Sequence, residues 1–245
     1  DNDGKITALK ADLYSDGGWA ADLSLSILDR ALFHVDNAYW LPCVSITGRV
    51  VKMNRTSNTA FRGFGGPQGM CVIEHIMERI ACRLGADPLE VRRVNFYNGP
   101  NNRTPYRQLV DDFRIPRMVD ELVVSSRLQE RRAEISEFNS TSRWHKRAIA
   151  LTPVKFGISF TAAFLNQAGA FVLIYADGTV QLNHGGTEMG QGLYTKMMQV
   201  CAHELGIDPD VVRPMATRTD KVPNTSATAA SSGADLNGAA IVDAC

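Results

Sequence analysis

No stretch of this sequence approaches the roughly 18 consecutive apolar residues that a membrane helix needs, so no transmembrane helix is expected. The chain does not open on the charged, then apolar, then small-residue pattern of a secretory leader. Net charge is missing as well: 26 basic residues balance 26 acidic ones, and nothing favours nucleic acid or a membrane surface as partner. Cys43, Cys71, Cys82, Cys201 and Cys245 include no Cys-x-x-Cys pair. That leaves no recognisable zinc or iron–sulfur ligand set and fits a reducing, intracellular compartment. An initiator methionine is absent, and the apparent last helix, Ala234 to Cys245, has no Gly or Pro stop signal, so a fragment of a longer protein is expected. At 245 residues the chain can hold one large domain or two smaller ones.

What is present centres on Asn58 to Gln68, Asn-Thr-Ala-Phe-Arg-Gly-Phe-Gly-Gly-Pro-Gln. One cation, Arg62, and two aromatics, Phe61 and Phe64, share a loop with Gly63, Gly65 and Gly66, where the backbone can approach a ligand closely. An apolar-periodic run, Met70 to Leu84, predicts a helix directly after it. Loop amides ahead of a helix N-terminus attract anions, and a forked guanidinium adds donors. The window reads equally as a ligand cradle or as a tight turn whose aromatics enter the core.

In chain order, loose alternation over Lys5 to Tyr14 predicts a strand, and Ser15 to Gly18 a turn. Leu23, Leu25, Ile27, Leu28, Ala31 and Leu32 then recur at helical spacing, with Asp22 as N-cap; Arg30 on this helix reads as a solvated surface arginine. Val44 to Met53 predicts a strand leading to the Arg62 loop. Gly85 reads as a helix C-cap and Asp87-Pro88 as the start of a further helical turn. Asn95 to Asp112 reads as a surface excursion, and Met118 to Ile135 as one charged helix with a solvated face.

From Lys155 the pattern turns to strands: Lys155 to Phe164, Ala170 to Tyr175, then an Asp177-Gly178 hairpin into Thr179 to Leu182. His184 to Gly192 is a second glycine loop before a helix, Leu193 to Leu205. It lacks the Lys-Ser/Thr of a nucleoside triphosphatase, leaving amides that could cradle a phosphate or a polar ring. An offset of 121 aligns Gly65 with Gly186, Gly69 with Gly190, and Leu84-Gly85-x-Asp87-Pro88 with Leu205-Gly206-x-Asp208-Pro209. Val91-Arg92 then meets Val212-Arg213. Either the chain has two similar halves facing one ligand, a common cofactor location, or helix punctuation is simply stereotyped. The small-residue run Pro223 to Gly238 reads as a linker or as a surface for close backbone approach to something bulky.

Taken together, Asn58–Gln68, Gly157–Gly169, His184–Gly192 and Asn224–Gly238 resemble the molybdenum-binding region of the xanthine dehydrogenase/oxidase group of the molybdenum hydroxylase family, over essentially the whole chain. The resemblance implies an α+β fold of two α/β subdomains, residues 1–122 and 123–245, with the cofactor site between them. It implies a molybdenum–molybdopterin cofactor and oxidative hydroxylation of hypoxanthine and xanthine to urate. Electrons would pass through two [2Fe–2S] clusters and FAD, carried elsewhere in the parent protein, to NAD or O2. A homodimer in the cytoplasm or peroxisome is implied too. An aldehyde oxidase of the same family is the alternative, and a non-enzymatic scaffold a third.

Residue by residue, the resemblance implies that Arg62 lies beside the molybdenum centre, that Ala229, Ala230 and Ser231 pack backbone against it, and that Gln191 bonds the pterin. Arg62 and Ala230 are thus the residues next to the metal. It implies that Phe64 lies along the purine ring, that Phe160 meets it edge-on, and that Thr161 bonds its polar edge. Arg30 would neutralise charge developing on the purine, which displaces its surface reading. The catalytic glutamate of the family is expected beyond Cys245 and another substrate-binding glutamate before Asp1, so this stretch alone is expected to be inactive. Glu188 receives no role as base, and Gly233 stands where many relatives have serine.

Overall fold

The structure, a computed structural model, describes residues 1–221 and 225–245. Val222, Pro223 and Asn224 lie outside the described residues, and with them the start of the small-residue run and of the fourth motif. The chain divides into two compact units, both discontinuous in sequence. The first takes Asp1–Tyr14, Ala31–Arg49 and Gly66–Phe156, and the second Ser15–Arg30, Val50–Gly65 and Gly157–Cys245. The fold is α+β.

Strand β1 (Leu9–Gly18) pairs with β2 (Val44–Lys52) in a two-stranded sheet. The strand therefore starts later than Lys5 and runs through the expected turn at Ser15 to Gly18. Asp-Gly-Gly favours a turn locally, but pairing with β2 carries the chain through it, and only at Gly18 does φ reach +69°. Helix α1 (Ser24–Leu32) follows. Asp22 is not its N-cap: it stands at φ 40° and its carboxylate accepts the Thr59 hydroxyl.

In the first unit, α2 (Gly66–Leu84) begins four residues before the apolar run, because Pro67 is tolerated in a first turn, where no intrahelical N–H bond is required. Gly66, Gly69, Ile73, Met77 and Ala81 form its buried stripe. The helix ends where expected: Gly85 takes φ +63° while the Ala86 N–H reaches the Ala81 carbonyl at 3.0 Å. Asp87 then caps α3 (Pro88–Arg93), its Oδ1 accepting the Leu89 N–H at 2.7 Å. The single helix expected over 118–135 is two, α4 (Arg114–Ser125) and α5 (Leu128–Thr141), because Arg127 turns left-handed at φ 52° so that Val119 and Leu128 can both enter the core. The excursion from Asn95 is not all surface either. Asn95, Phe96 and Tyr97 are buried, and the Asn95 amide donates to the Gly4 and Val91 carbonyls and accepts the Ile6 N–H. Buried Arg92 is held by Glu74 at 2.8 Å and Glu78 at 2.7 Å.

In the second unit, β3 (Ala170–Ile174) pairs antiparallel with β4 (Val180–His184), and β4 pairs parallel with β5 (Val212–Pro214). The hairpin turns on Gly178 at φ +85°, with Asp177 accepting the Thr179 N–H. Helix α6 (Leu193–Leu205) crosses from β4 to β5, and α7 (Gly233–Ala244) packs beside it. Val180, Leu182, Met197, Cys201, Val212 and Ile241 fill the core between sheet and helices. The punctuation repeat is visible at its start: Gly206 caps α6 at φ +66° and Asp208 caps the turn Pro209–Val211. It then diverges, since Val91-Arg92 is helical while Val212-Arg213 is strand.

Candidate functional site

All the site residues expected from the sequence belong to the second unit. Phe64, Phe160 and Ala230 form a buried cluster of their own, bordered by Leu23, Ile27, Leu165 and Ala229. The two rings meet edge to face, with centroids 5.4 Å apart and planes at 83°. Phe64 reaches this position because three successive residues adopt positive φ: Gly63 at 98°, Phe64 at 52° and Gly65 at 103°. The two glycines do so without strain and turn a large side chain inward.

Phe160 arrives by a different device. No strand forms over Lys155 to Phe164; the segment is irregular, ending in a 3-10 turn at Ala163–Leu165. Side-chain amides take the backbone bonds that a ladder would have taken. Within the first unit, Asn37 donates to the Pro153 carbonyl at 2.9 Å and accepts the Lys155 N–H at 3.0 Å. Within the second, Asn166 accepts the Phe160 N–H and donates to the Phe160 carbonyl, both at 2.9 Å. Ser159, at φ 75°, donates its N–H to the Ala230 carbonyl at 2.9 Å. Ala230 and Ser231 are themselves left-handed, at φ 53° and 58°. Such residues persist only where the surroundings fix them, and they gather at ligand sites.

Arg30 is buried, at 6% exposure, and its guanidinium donates to the Ser159 carbonyl. The surface reading of its helical position is therefore wrong: α1 turns this face inward against the 159–160 segment. Thr161 is exposed, its hydroxyl 3.4 Å from an Asp29 carboxylate oxygen. Arg62 is exposed as well, and no hydrogen bond or ion pair engages it among the described residues. Arg30, Phe64, Phe160 and Ala230 are thus brought together, with Thr161 and Ala229 at the border.

The second glycine loop is built separately. Strand β4 delivers His184, whose Nδ1 accepts the Gly186 N–H at 3.2 Å. Burial pushes the His184 pKa down, so the ring is neutral and carries its proton on Nε2. Thr217 donates to the Gly186 carbonyl at 3.0 Å, and the Thr228 hydroxyl accepts the Thr187 N–H at 2.9 Å. A Cβ on Gly185 would fall 2.3 Å from the Thr225 hydroxyl, and one on Gly186 would fall 2.5 Å from Leu193. A larger residue at either position would have to displace these side chains.

Glu188 sits at the head of α6 and accepts the N–H groups of Gly190, Gly192 and Tyr194 at 2.8, 3.0 and 3.0 Å. These bonds, Tyr194's foremost, hold its carboxyl below its ordinary range. The expected phosphate cradle at this helix start is therefore corrected: its amides are occupied, and by a carboxylate that repels anions. Gln191 closes on the same loop, donating to the Thr187 carbonyl at 2.8 Å and accepting the Met189 N–H at 2.5 Å. It does not join the aromatic cluster.

Sequence reasoning assigned no role to Asn166, Asp29, Ser159, His184 or Glu188. Only Glu188 carried a signal, an acidic residue shortly before a helix start.

A large polar cofactor fits what this unit offers. Among the described residues, Asn183 Oδ1, His184 Nε2 and Asn237 Oδ1 are buried without a partner, and the left-handed Ala230–Ser231 turn presents backbone beside the aromatic pair. Among the described residues no group of three or more His, Cys, Asp or Glu forms a metal cluster.

Comparison with known proteins places this architecture. Residues 1–96 match one molybdopterin cofactor-binding domain and residues 121–245 match a second. The chain belongs to the molybdopterin cofactor-binding domain family. It is 51% identical over 244 residues to xanthine dehydrogenase of Drosophila subobscura, covering 100% of this chain and 18% of that protein. It is 52% identical over 242 residues to xanthine dehydrogenase/oxidase of Gallus gallus, covering 99% of this chain and 18% of that protein. Among solved structures, aldehyde oxidoreductase from Desulfovibrio gigas superposes with a TM-score of 0.78 at 27% identity, covering 100% of this chain and 26% of that one. The family resemblance carried by the four motifs is borne out. The chain spans 18% of the length of the relatives it matches.

Proposed function

We propose that this chain is part of the molybdenum centre and substrate pocket of a xanthine dehydrogenase that hydroxylates hypoxanthine and xanthine. The observation that carries the reading is the joining of Arg30, Phe64, Phe160 and Ala230 around one buried cluster. A molybdenum–pterin group, when bound, would supply the oxidising equivalents and the oxygen for hydroxylation.

The chain's own residues do the rest. Phe64 and Phe160, already edge to face, hold a planar heteroaromatic by ring contacts, and each such pair adds about 0.5–1.5 kcal/mol beyond burial. Thr161 bonds the ring's polar edge, with Asp29 orienting its hydroxyl. Arg30 stabilises charge growing on the ring; a preorganised donor aimed at developing charge contributes roughly 3 kcal/mol. Ala229, Ala230 and Ser231 give backbone, and Arg62 a free guanidinium, to the cofactor side. Gln191 bonds the pterin through the second N–H or the second lone pair of its amide, the first of each being taken by the loop. Glu188 is not the base, because its carboxylate is engaged by the Gly190, Gly192 and Tyr194 amides. The subdomain division at 122/123, electron flow through [2Fe–2S] clusters and FAD to NAD or O2, and a homodimer complete the proposal.

A second reading, oxidation of aldehydes, is favoured by the likeness to the Desulfovibrio gigas aldehyde oxidoreductase. Arg30→Leu in the full-length enzyme separates the two. Xanthine turnover is expected to fall at least a hundredfold while aldehyde turnover and molybdenum content stay. Unchanged xanthine kinetics with full metal content would remove the purine reading. Wild-type protein without molybdenum, despite cofactor supply, would remove both.

A further inference from the structure

The sequence scatters its cysteines, yet the fold brings two of them together. Cys201, on the core face of α6, and Cys245, at the end of α7, place their sulfurs 3.8 Å apart across 44 residues of chain. Both are free thiols, and Cys201 is fully buried among Met197, Leu182 and Ile241. A disulfide needs about 2.05 Å between sulfurs, so an approach of about 1.8 Å joins them.

We propose that Cys201 and Cys245 form a peroxide-oxidisable dithiol, a modification site that staples α6 to α7. Cys245 reacts first, since Cys201 is sealed from solvent and burial pushes its thiol up to about 12. The Cys245 thiolate attacks one peroxide oxygen, the O–O bond breaks, and hydroxide leaves to take up a proton as water. The resulting sulfenic acid lies beside Cys201. The Cys201 sulfur attacks the Cys245 sulfur, the S–O bond breaks, and a second water leaves with the Cys201 proton. Two thiols and one hydrogen peroxide thus give one disulfide and two waters, with two electrons passed to peroxide. A thiol reductant reverses the bond. The pair joins the helix that follows the His184–Gly192 loop to the one that follows the Ala230–Ser231 turn, so oxidation tethers both loops through their helices.

The test is a peptide map of the reduced full-length protein after stoichiometric hydrogen peroxide and alkylation. A Cys201–Cys245 disulfide peptide that dithiothreitol removes is expected, together with a raised melting temperature of the oxidised protein. In Cys201→Ala, Cys245 is expected to accumulate as a dimedone-trappable sulfenic acid; in Cys245→Ser, Cys201 is expected to stay alkylatable. The proposal is overturned if wild-type Cys245 reaches sulfinic acid while Cys201 remains a thiol. It is equally overturned if the disulfide forms with exposed Cys43, Cys71 or Cys82, or if both thiols survive.

Discussion

Phe64, Ser159, Ala230 and Ser231 stand in the left-handed region, where an L side chain crowds the following carbonyl at about 1–2 kcal/mol per residue. Half of the eight non-glycine residues at positive φ among the described residues thus gather near one aromatic pair, the kind of clustering that marks ligand sites. The opposite constraint acts at Gly69. A Cβ there would sit 2.1 Å from the Ala31 carbonyl oxygen, and backbone cannot step aside. Gly69→Ala is expected to destabilise by about 3 kcal/mol in thermal melting of the full-length protein. Gly99→Ala, where a Cβ meets nothing within 4 Å, is expected to leave the melt unchanged. His184 gives a pH signature. Its folded pKa lies below that of the unfolded chain, near 6.5, so the unfolded state takes up the proton first. Stability from neutral His184 is complete above that value and lost as pH falls toward the folded pKa. A melting temperature that drops from pH 7 to 5.5 in wild type, and drops less in His184→Asn, is expected.

At the scale of elements, Asn166 does the work of a neighbouring strand. Its amide satisfies both backbone groups of Phe160, so the segment stays fixed without a ladder. Asn166→Ala is expected to remove about 1–3 kcal/mol of stability by leaving part-buried backbone groups unmatched. In the full-length enzyme it is expected to raise the purine KM more than it lowers kcat for aldehydes. Asn166→Asp, which keeps the acceptor but loses the donor, is expected to fall between. Lys155 to Phe164 reads as a strand because bonds from distant side-chain amides are invisible in the sequence of the segment itself. The ends of α2 and α6 and the start of α3 were legible, since Gly85, Gly206 and Asp87-Pro88 act locally through caps. The break between α4 and α5 was not, because Arg127 gives no local reason to turn and only the core demands it.

At the scale of the molecule, each unit has its own core, one around Ile73, Met77 and Tyr39 and the other around Leu182, Met197 and Ile241. The first also buries Arg92 against Glu74, which accepts the Tyr39 hydroxyl at 2.5 Å. Arg92→Met leaves Glu74 with its charge uncompensated and is expected to cost about 3–5 kcal/mol. Hydrogen exchange should localise that loss to the first unit, with the amides of α6 and β4 keeping their protection. The sequence by itself determined the family: runs such as Phe-Arg-Gly-Phe-Gly-Gly and Met-Gly-Gln-Gly are local, and their resemblance to the molybdenum-binding region is read without knowing the fold. It also determined the C-terminal ends of α2 and α6 and the start of α3, whose caps lie within a few residues. Only the tertiary structure decided that Arg30 is buried on Ser159, that Glu188 closes the head of α6, and that Cys201 meets Cys245. Those outcomes depend on which distant segment packs opposite, and the pattern of a single segment holds no trace of that.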